Sequence, residues 1–133
     1  MNYIVLDMEW NQPWPGSPSA KKVLPVAIRG EIIQIGAVRL SEAQEVQDEF
    51  QVLIRPKYYR RLNRRVSKLT GIKENRLNDE GIPFPDALEQ FRSWCGEDIV
   101  FLTWGLTISA SCGRICSCST WTTAGPTAGT MPR

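Results

Sequence analysis

An abrupt change in sequence character at Leu106 limits how much of this chain can build a regular fold. Before it, apolar runs and charged side chains alternate in patterns that fit strands and helices. From Leu106 to Arg133 there is no Asp, Glu or Lys, and Ser, Thr, Gly and Cys dominate. That segment has neither a strand period nor a helix period. We therefore predict one domain within residues 1–105 and an atypical tail at residues 106–133 that is out of frame or disordered.

The overall composition is that of a folded protein. Hydrophobic residues make up 42% of the 133 residues and charged residues 23%, which is near the average of globular domains. The net charge of +2 is too small to indicate a nucleic-acid partner by itself. No apolar window is long enough for a membrane span, and the N-terminus lacks a signal-peptide pattern. We predict a cytoplasmic protein without membrane association.

Three strands are predicted in the first half of the chain. Residues 3–6 form an apolar run of strand-forming residues, and residues 12–25 are rich in Pro and Gly, which favours an exposed loop. Glu31–Leu40 has few polar positions on either face and is predicted to be a central strand. Phe50, Val52 and Ile54 alternate with less apolar residues before Pro56. Short connections predict an antiparallel meander.

The second half is predicted to add helices and a fourth strand. Val66, Leu69 and Ile72 are spaced for one helical turn that Gly71 ends. Residues 83–94 carry an apolar stripe at helical spacing, in which Phe91 and Trp94 are predicted to be core. Residues 98–103 give another apolar strand. The order strand, strand, strand, helix, helix, strand predicts an α/β fold with a mixed sheet.

Asp7 and Glu9 form the first candidate for chemistry. They lie two residues apart at the end of a predicted strand, so their side chains leave the same face. Two carboxylates on one face repel unless a cation neutralises them, and hard divalent ions are what clustered carboxylates bind. The alternative is a pair of solvated carboxylates at a strand end, because this short pattern occurs widely.

The order of these segments resembles a known family. The strand with its D-x-E pair, then EIIQIGAVRL, FQVLIRP, VSKLTGI, FPDALEQFRSW and FLTWG follow one another from Met1 to about Gly105. Together they resemble the DnaQ-like (DEDD, RNase T) superfamily of 3′-to-5′ exonucleases. The resemblance implies a ribonuclease H-like exonuclease fold whose C-terminal part is incomplete here.

The resemblance also implies a site and a reaction. Asp7 and Glu9 would be catalytic and would ligate two Mg²⁺ or Mn²⁺ ions, which hydrolyse a phosphodiester at the 3′ end of single-stranded RNA or DNA. Substrate contacts would come from the following residues: Met8, Trp10, Leu69, Thr70 and Gly71. Trp10 could either stack on a base or serve as a buried aromatic anchor.

The chain departs from the family pattern after its last predicted strand. The family's third metal ligand is an aspartate just beyond Gly105, where this chain has Leu106 and Thr107. The family's later general base, a histidine or tyrosine followed by an aspartate, has no counterpart, and the chain contains no histidine. We therefore expect impaired activity, and the alternative function is a non-catalytic nucleic-acid-binding or incomplete fragment.

A shifted reading frame offers an origin for the tail. If each codon's last base is read with the next codon's first two, Thr107 and Ile108 allow two aspartates. Trp121 followed by Thr122 forces another, because the tryptophan codon ends in G. With ordinary codon choices, the re-read tail becomes acidic and leucine-rich with a helical period. The hypothesis is a truncated or frameshifted exonuclease.

Two further features have alternative interpretations. The cysteines at 112, 116 and 118 match no common zinc-binding spacing and are predicted to be unpaired thiols. The basic run from Lys57 to Lys68 either follows the phosphates of a single strand or is a solvated surface.

Overall fold

The computed structural model describes residues 1–103. The strands are β1 (Asn2–Asn11), β2 (Glu31–Leu40), β3 (Val46–Leu53) and β4 (Ile99–Thr103). The helices are α1 (Arg64–Thr70), α2 (Glu74–Glu80) and α3 (Phe84–Cys95), and a short 3₁₀ helix spans Pro18–Lys21. Within this part of the chain no helix is long and apolar enough to cross a bilayer. The predicted tail at 106–133 lies outside the described residues.

The four strands form one mixed sheet in the order β3-β2-β1-β4. β1 pairs antiparallel with β2, and β2 pairs antiparallel with β3. β4 lies parallel to β1 on its other side, a pairing that requires the crossover through the helices. The predicted meander and the added strand are therefore confirmed, and β1 lies inside the sheet.

A β-bulge interrupts the pairing of β1 with β2. The register shifts between Glu9 and Trp10, because Trp10 pairs with Ile32 and Ile33 has no partner on β1. As a result Ile32, not Ile33, shares a face with Ile35, and Ile33 packs in a cluster on the other side. An unbroken two-residue period along β2 would place Ile33 on the same face as Ile35, and the bulge is what separates them.

The main core lies between the sheet and α3. Phe91 on α3 is 1% exposed, and its ring centroid is 5.5 Å from that of Phe50 on β3. Trp94 packs partly buried against the same core, which confirms the predicted role of both α3 aromatics. The buried members from the sheet and helix are Ile4, Leu6, Met8, Ile32, Ile35, Ala37, Ile54, Ala87, Phe91 and Cys95.

A smaller cluster packs on the opposite face of the sheet. It joins Ile33 and Leu53 from the strands to the segments around α1 and α2, and Leu77 is the one buried residue of α2. The sequence prediction missed α2 because a single buried apolar side chain gives no helical stripe. It placed the end of α1 correctly, since Gly71 caps the helix at φ 76° in the left-handed region.

Candidate active site

The strand β1 separates apolar from acidic side chains. Its core-facing positions are the buried residues Ile4, Leu6 and Met8. Asp7 is exposed and Glu9 is partly buried on the other face, in accordance with the alternation of a strand. The bulge begins immediately after Glu9. The structure thus brings the two predicted carboxylates together on the same face of β1.

The two carboxylates influence each other's charge state. Partial burial raises the pKa of Glu9 above its ordinary value, and the neighbouring charge of Asp7 raises it further. Asp7 accepts a hydrogen bond from the backbone N–H of Met8 at 3.0 Å. An added cation would favour the ionised form of Glu9, because it would offset both effects.

Asn11 ends β1 and fixes the loop that leads into α1. Its side chain is 0% exposed, and its Nδ2 donates to the carbonyl oxygens of Tyr59 at 2.8 Å and Arg61 at 3.0 Å. Its Oδ1 accepts from the backbone N–H of Asn63 at 3.0 Å. Every bond spans about fifty residues of sequence. This one amide therefore holds the start of α1 against the end of β1, where Asn11 lies two residues beyond Glu9.

Glu31 holds the preceding part of the same loop. Its carboxylate accepts three consecutive backbone N–H groups, from Lys57 at 2.8 Å, Tyr58 at 2.9 Å and Tyr59 at 2.5 Å. Bonds from backbone donors to an ionised carboxylate are stronger than neutral ones. The loop between β3 and α1 is thereby attached to the first residue of β2.

The predicted substrate-contacting turn lies at the end of α1. Leu69 is 77% exposed, so its side chain is free to meet a ligand. Thr70 Oγ1 donates to the carbonyl of Val66 at 2.9 Å and accepts from the N–H of Ile72 at 3.1 Å. Gly71 supplies the left-handed turn. α1 packs on the cluster that contains Ile33, the sheet face that also bears the carboxylates.

Met8 and Trp10 occupy a different position from the carboxylates. The Met8 side chain is 8% exposed and belongs to the main core. Trp10 is partly buried and packs against that same core. Of the two predicted roles for Trp10, this packing favours the aromatic anchor. Only the backbone of Met8 and Trp10 is close to the Asp7 and Glu9 face.

The carboxylates at this site supply part of the ligand set that a hard divalent cation needs. Asp7 and Glu9 offer carboxylate oxygens, which are the ligands that Mg²⁺ and Mn²⁺ prefer. Within residues 1–103 no group of three or more His, Cys, Asp or Glu side chains is positioned to hold a metal ion. The described residues therefore fit two ligands of a carboxylate metal site, and further ligands would have to come from outside them.

Sequence reasoning missed the polar side chains that position the site. Asn11, Glu31 and Asn63 act through contacts with residues far along the chain. The available signal was small: a polar residue at the end of β1 and another at the start of β2. Such positions are common, and only the fold shows what Asn11 and Glu31 contact.

These features define a class of protein. A mixed sheet carries helices on both faces, and its interior strand β1 presents two carboxylates beside a bulge. This is the arrangement of a ribonuclease H-like nuclease domain. The family model for RNase T exonucleases matches residues 4–105, and the chain belongs to that exonuclease family.

Solved structures share the fold. One shows a 3′-exonuclease that recognises the 3′ end of a histone mRNA stem-loop; it is 22% identical, with a TM-score of 0.64, over 79% of this chain and 36% of that chain. The nuclease domain of 3′hExo, a DEDDh family member bound to rAMP, is 23% identical, with a TM-score of 0.63, over 85% and 60%.

A third similar structure is exonuclease I of E. coli in complex with a dT13 oligonucleotide. It is 15% identical, with a TM-score of 0.55, over 77% of this chain and 20% of that chain. The chain thus spans between 20% and 60% of the length of these three structures. Among curated protein sequences, none matches the chain significantly. At these identities the structural similarity establishes the fold.

Proposed function

We propose that residues 1–105 are the N-terminal part of a 3′-to-5′ exonuclease domain that hydrolyses terminal phosphodiesters of RNA or DNA with Mg²⁺ or Mn²⁺. The observation that carries this proposal is the pair Asp7 and Glu9 on one face of β1, in a chain of the exonuclease family. The similar structures recognise a histone mRNA stem-loop or are bound to rAMP or a dT13 oligonucleotide, which supports a nucleic-acid substrate.

Each residue has a chemical role in this proposal. Asp7 and Glu9 would hold the divalent ions, which would supply polarisation of a water and charge stabilisation at the phosphate. Leu69 offers an exposed apolar side chain to the terminal base, and the turn of Thr70 and Gly71 fixes its position. Asn11 maintains the spacing between this turn and the carboxylates, because it ties α1 to the end of β1.

We also propose that activity is impaired in the chain as given. Two carboxylates leave most of the coordination of Mg²⁺ to water, so the ion binds weakly. The segment after Gly105 contains no acidic residue and no histidine that could complete the site. A shifted reading frame is the proposed origin of the mismatch, because the codons of Thr107 and Ile108 allow aspartates in the neighbouring frame.

The test compares 3′-end degradation of labelled single-stranded RNA and DNA with Mn²⁺. Four proteins are used: this chain, its Asp7→Ala variant, a version whose tail is re-read in the other frame, and that re-framed version with Asp7→Ala. We expect cutting by the re-framed protein and its loss on Asp7→Ala. Degradation that survives Asp7→Ala would show that the chemistry does not depend on the proposed metal site. Alternative-frame stop codons in the coding sequence would rule out the frameshift.

A second candidate function is non-catalytic nucleic-acid binding. The observation that favours it is the lack of a third metal-positioned carboxylate among residues 1–103. A binder of this kind would respond to salt and not to divalent metal, whereas an exonuclease requires the metal. Binding that is unchanged by EDTA, with no cutting by either version of the chain, would support this candidate.

A further inference from the structure

The segment between β3 and α2 carries a dense, unneutralised positive charge. From Pro56 to Lys73 there is no Asp or Glu, and the cationic side chains there are all exposed. None of them takes part in an ion pair with any residue in the described range 1–103. We call the part formed by Arg60, Arg61, Arg64, Arg65 and Lys68 the basic surface. Like charges at this spacing repel, so an anionic partner would stabilise them.

The backbone beneath the basic surface is fixed. Glu31 binds the N–H groups of residues 57–59, and Asn11 binds the carbonyls of Tyr59 and Arg61 and the N–H of Asn63. These inward bonds leave the arginine side chains directed to solvent. A loop ordered before binding loses less conformational entropy when a ligand arrives.

The basic surface lies beside the proposed active site. Asn11 is two residues beyond Glu9, which is roughly 7 Å along a strand, and it contacts Asn63 at 3.0 Å. Within α1, Arg64 and Lys68 are one turn apart, as are Arg65 and the exposed Leu69. The cationic rows therefore run from the loop along α1 to the turn proposed to meet the terminal nucleotide.

An exposed aromatic side chain flanks the same surface. Trp14 is 59% exposed and lies two residues after Gln12, whose carbonyl accepts a hydrogen bond from Asn63 Nδ2 at 3.1 Å. Arginines beside an accessible aromatic ring are the combination that binds single-stranded nucleic acid, through phosphate contacts and base stacking.

We propose that the basic surface and Trp14 bind the nucleotides upstream of the 3′ end, with arginines on the phosphodiester backbone and Trp14 stacked on a base. The proposal rests on the exonuclease function, because the bound strand leads to Asp7 and Glu9. The proposed ligand is single-stranded nucleic acid, RNA or DNA, bound without sequence preference.

The test measures the affinity of the full chain for fluorescent single-stranded dT and U oligonucleotides in EDTA at several salt concentrations. In the triple variant Arg61→Gln, Arg64→Gln, Arg65→Gln, we expect the slope of log K against log salt to fall by about 2, since each lost contact to a single strand contributes roughly 0.7. Arg92→Gln is a control, because Arg92 is an exposed arginine on α3. An unchanged slope in a folded triple variant would overturn the proposal.

Base stacking has a separate measurement. Trp14→Ala should weaken binding of the dT oligonucleotide about tenfold and leave binding of an abasic strand of equal length unchanged. Equal loss for both strands would refute stacking by Trp14. Tighter binding to anionic phosphatidylserine vesicles than to the oligonucleotide, lost in the same triple variant, would instead assign the surface to a membrane and overturn the proposal.

The outcome of the binding test on the basic surface can be distinguished from the outcome of the cutting test on the metal site. Binding in EDTA requires no metal and no third carboxylate, so the arginine variants report on the basic surface alone. Asp7→Ala in the cutting assay reports on the metal site alone. Salt-sensitive binding through the arginines, with no metal-dependent cutting by the re-framed protein, would uphold this inference and reject the exonuclease activity. Metal-dependent cutting with unaltered binding in the arginine variants would do the reverse.

Discussion

Asn11 Oδ1 accepts the backbone N–H of Asn63 at 3.0 Å, and Asn63 Oδ1 in turn accepts the N–H of Arg65 at 2.9 Å as the cap of α1. These two asparagines, linked by a hydrogen bond, therefore connect the end of β1 to the first turn of α1. Because Asp7 and Glu9 lie on the same strand, this connection fixes the distance between the carboxylates and the turn at the end of α1 that is proposed to bind substrate.

Replacement of Asn11 tests this connection. Asn11→Ala leaves two carbonyls and one N–H without their partner in a fully buried position. Each unsatisfied buried group costs about 1–3 kcal/mol, so we expect a loss of about 3 kcal/mol or more in the free energy of unfolding, measured in urea. The exposed Asn75→Ala on α2 should change it by under ~0.5 kcal/mol. A comparable small change for Asn11 would contradict its anchoring role.

The raised pKa of Glu9 predicts a pH-dependent stability. The pKa of Glu9 lies above its ordinary value of 4.5 in the folded chain. As pH rises, the unfolded chain therefore loses this proton before the folded chain does. The contribution of Glu9 to stability then falls as pH rises through the folded pKa. Glu9→Gln should therefore raise the melting temperature of the metal-free protein at pH 7 and not at pH 4. Glu89→Gln on α3 is the control.

Divalent metal should reverse the loss of stability that ionised Glu9 causes at pH 7. Since metal binds the ionised carboxylate, Mn²⁺ at pH 7 should raise the melting temperature of the native chain more than that of Glu9→Gln. Equal stabilisation of both proteins by Mn²⁺ would place the metal elsewhere.

Leu69 should matter for binding and not for stability. Its side chain is 77% exposed, so Leu69→Ala should leave the unfolding free energy within ~0.5 kcal/mol. Loss of its contact with a terminal base should weaken the affinity for a short oligonucleotide roughly tenfold. Phe91→Ala, in the core at 1% exposure, should instead cost about 3–5 kcal/mol of stability. Unchanged oligonucleotide affinity in Leu69→Ala would remove it from the site.

Cys95 should resist alkylation in the native state. Burial raises the pKa of its thiol to about 12, although the charge of Arg39 acts in the opposite direction. At pH 8 almost none of it is the reactive thiolate. Mass-spectrometric mapping after iodoacetamide treatment should find Cys95 unmodified without denaturant and modified in 6 M urea. Rapid native modification would show that α3 opens readily.

The sequence predicted the sheet and its first two carboxylates for a physical reason. The apolar runs in β1 and β2 and the alternation of Phe50, Val52 and Ile54 along β3 indicate strands, and this signal is local. The same local reasoning fixed the end of α1 at Gly71, where a left-handed residue is needed. It missed α2, because one buried leucine in seven residues leaves no pattern.

The sequence by itself thus determined the strand order along the chain, the shared face of Asp7 and Glu9 and the family resemblance. Only the tertiary structure decided that Ile33 lies on the other face of the sheet from Ile35 and that Glu31 binds three loop N–H groups. It alone also showed that Asn11 holds α1 beside Glu9. Periodicity follows from backbone geometry between near neighbours, whereas these contacts join residues that meet only after the chain has folded back on itself.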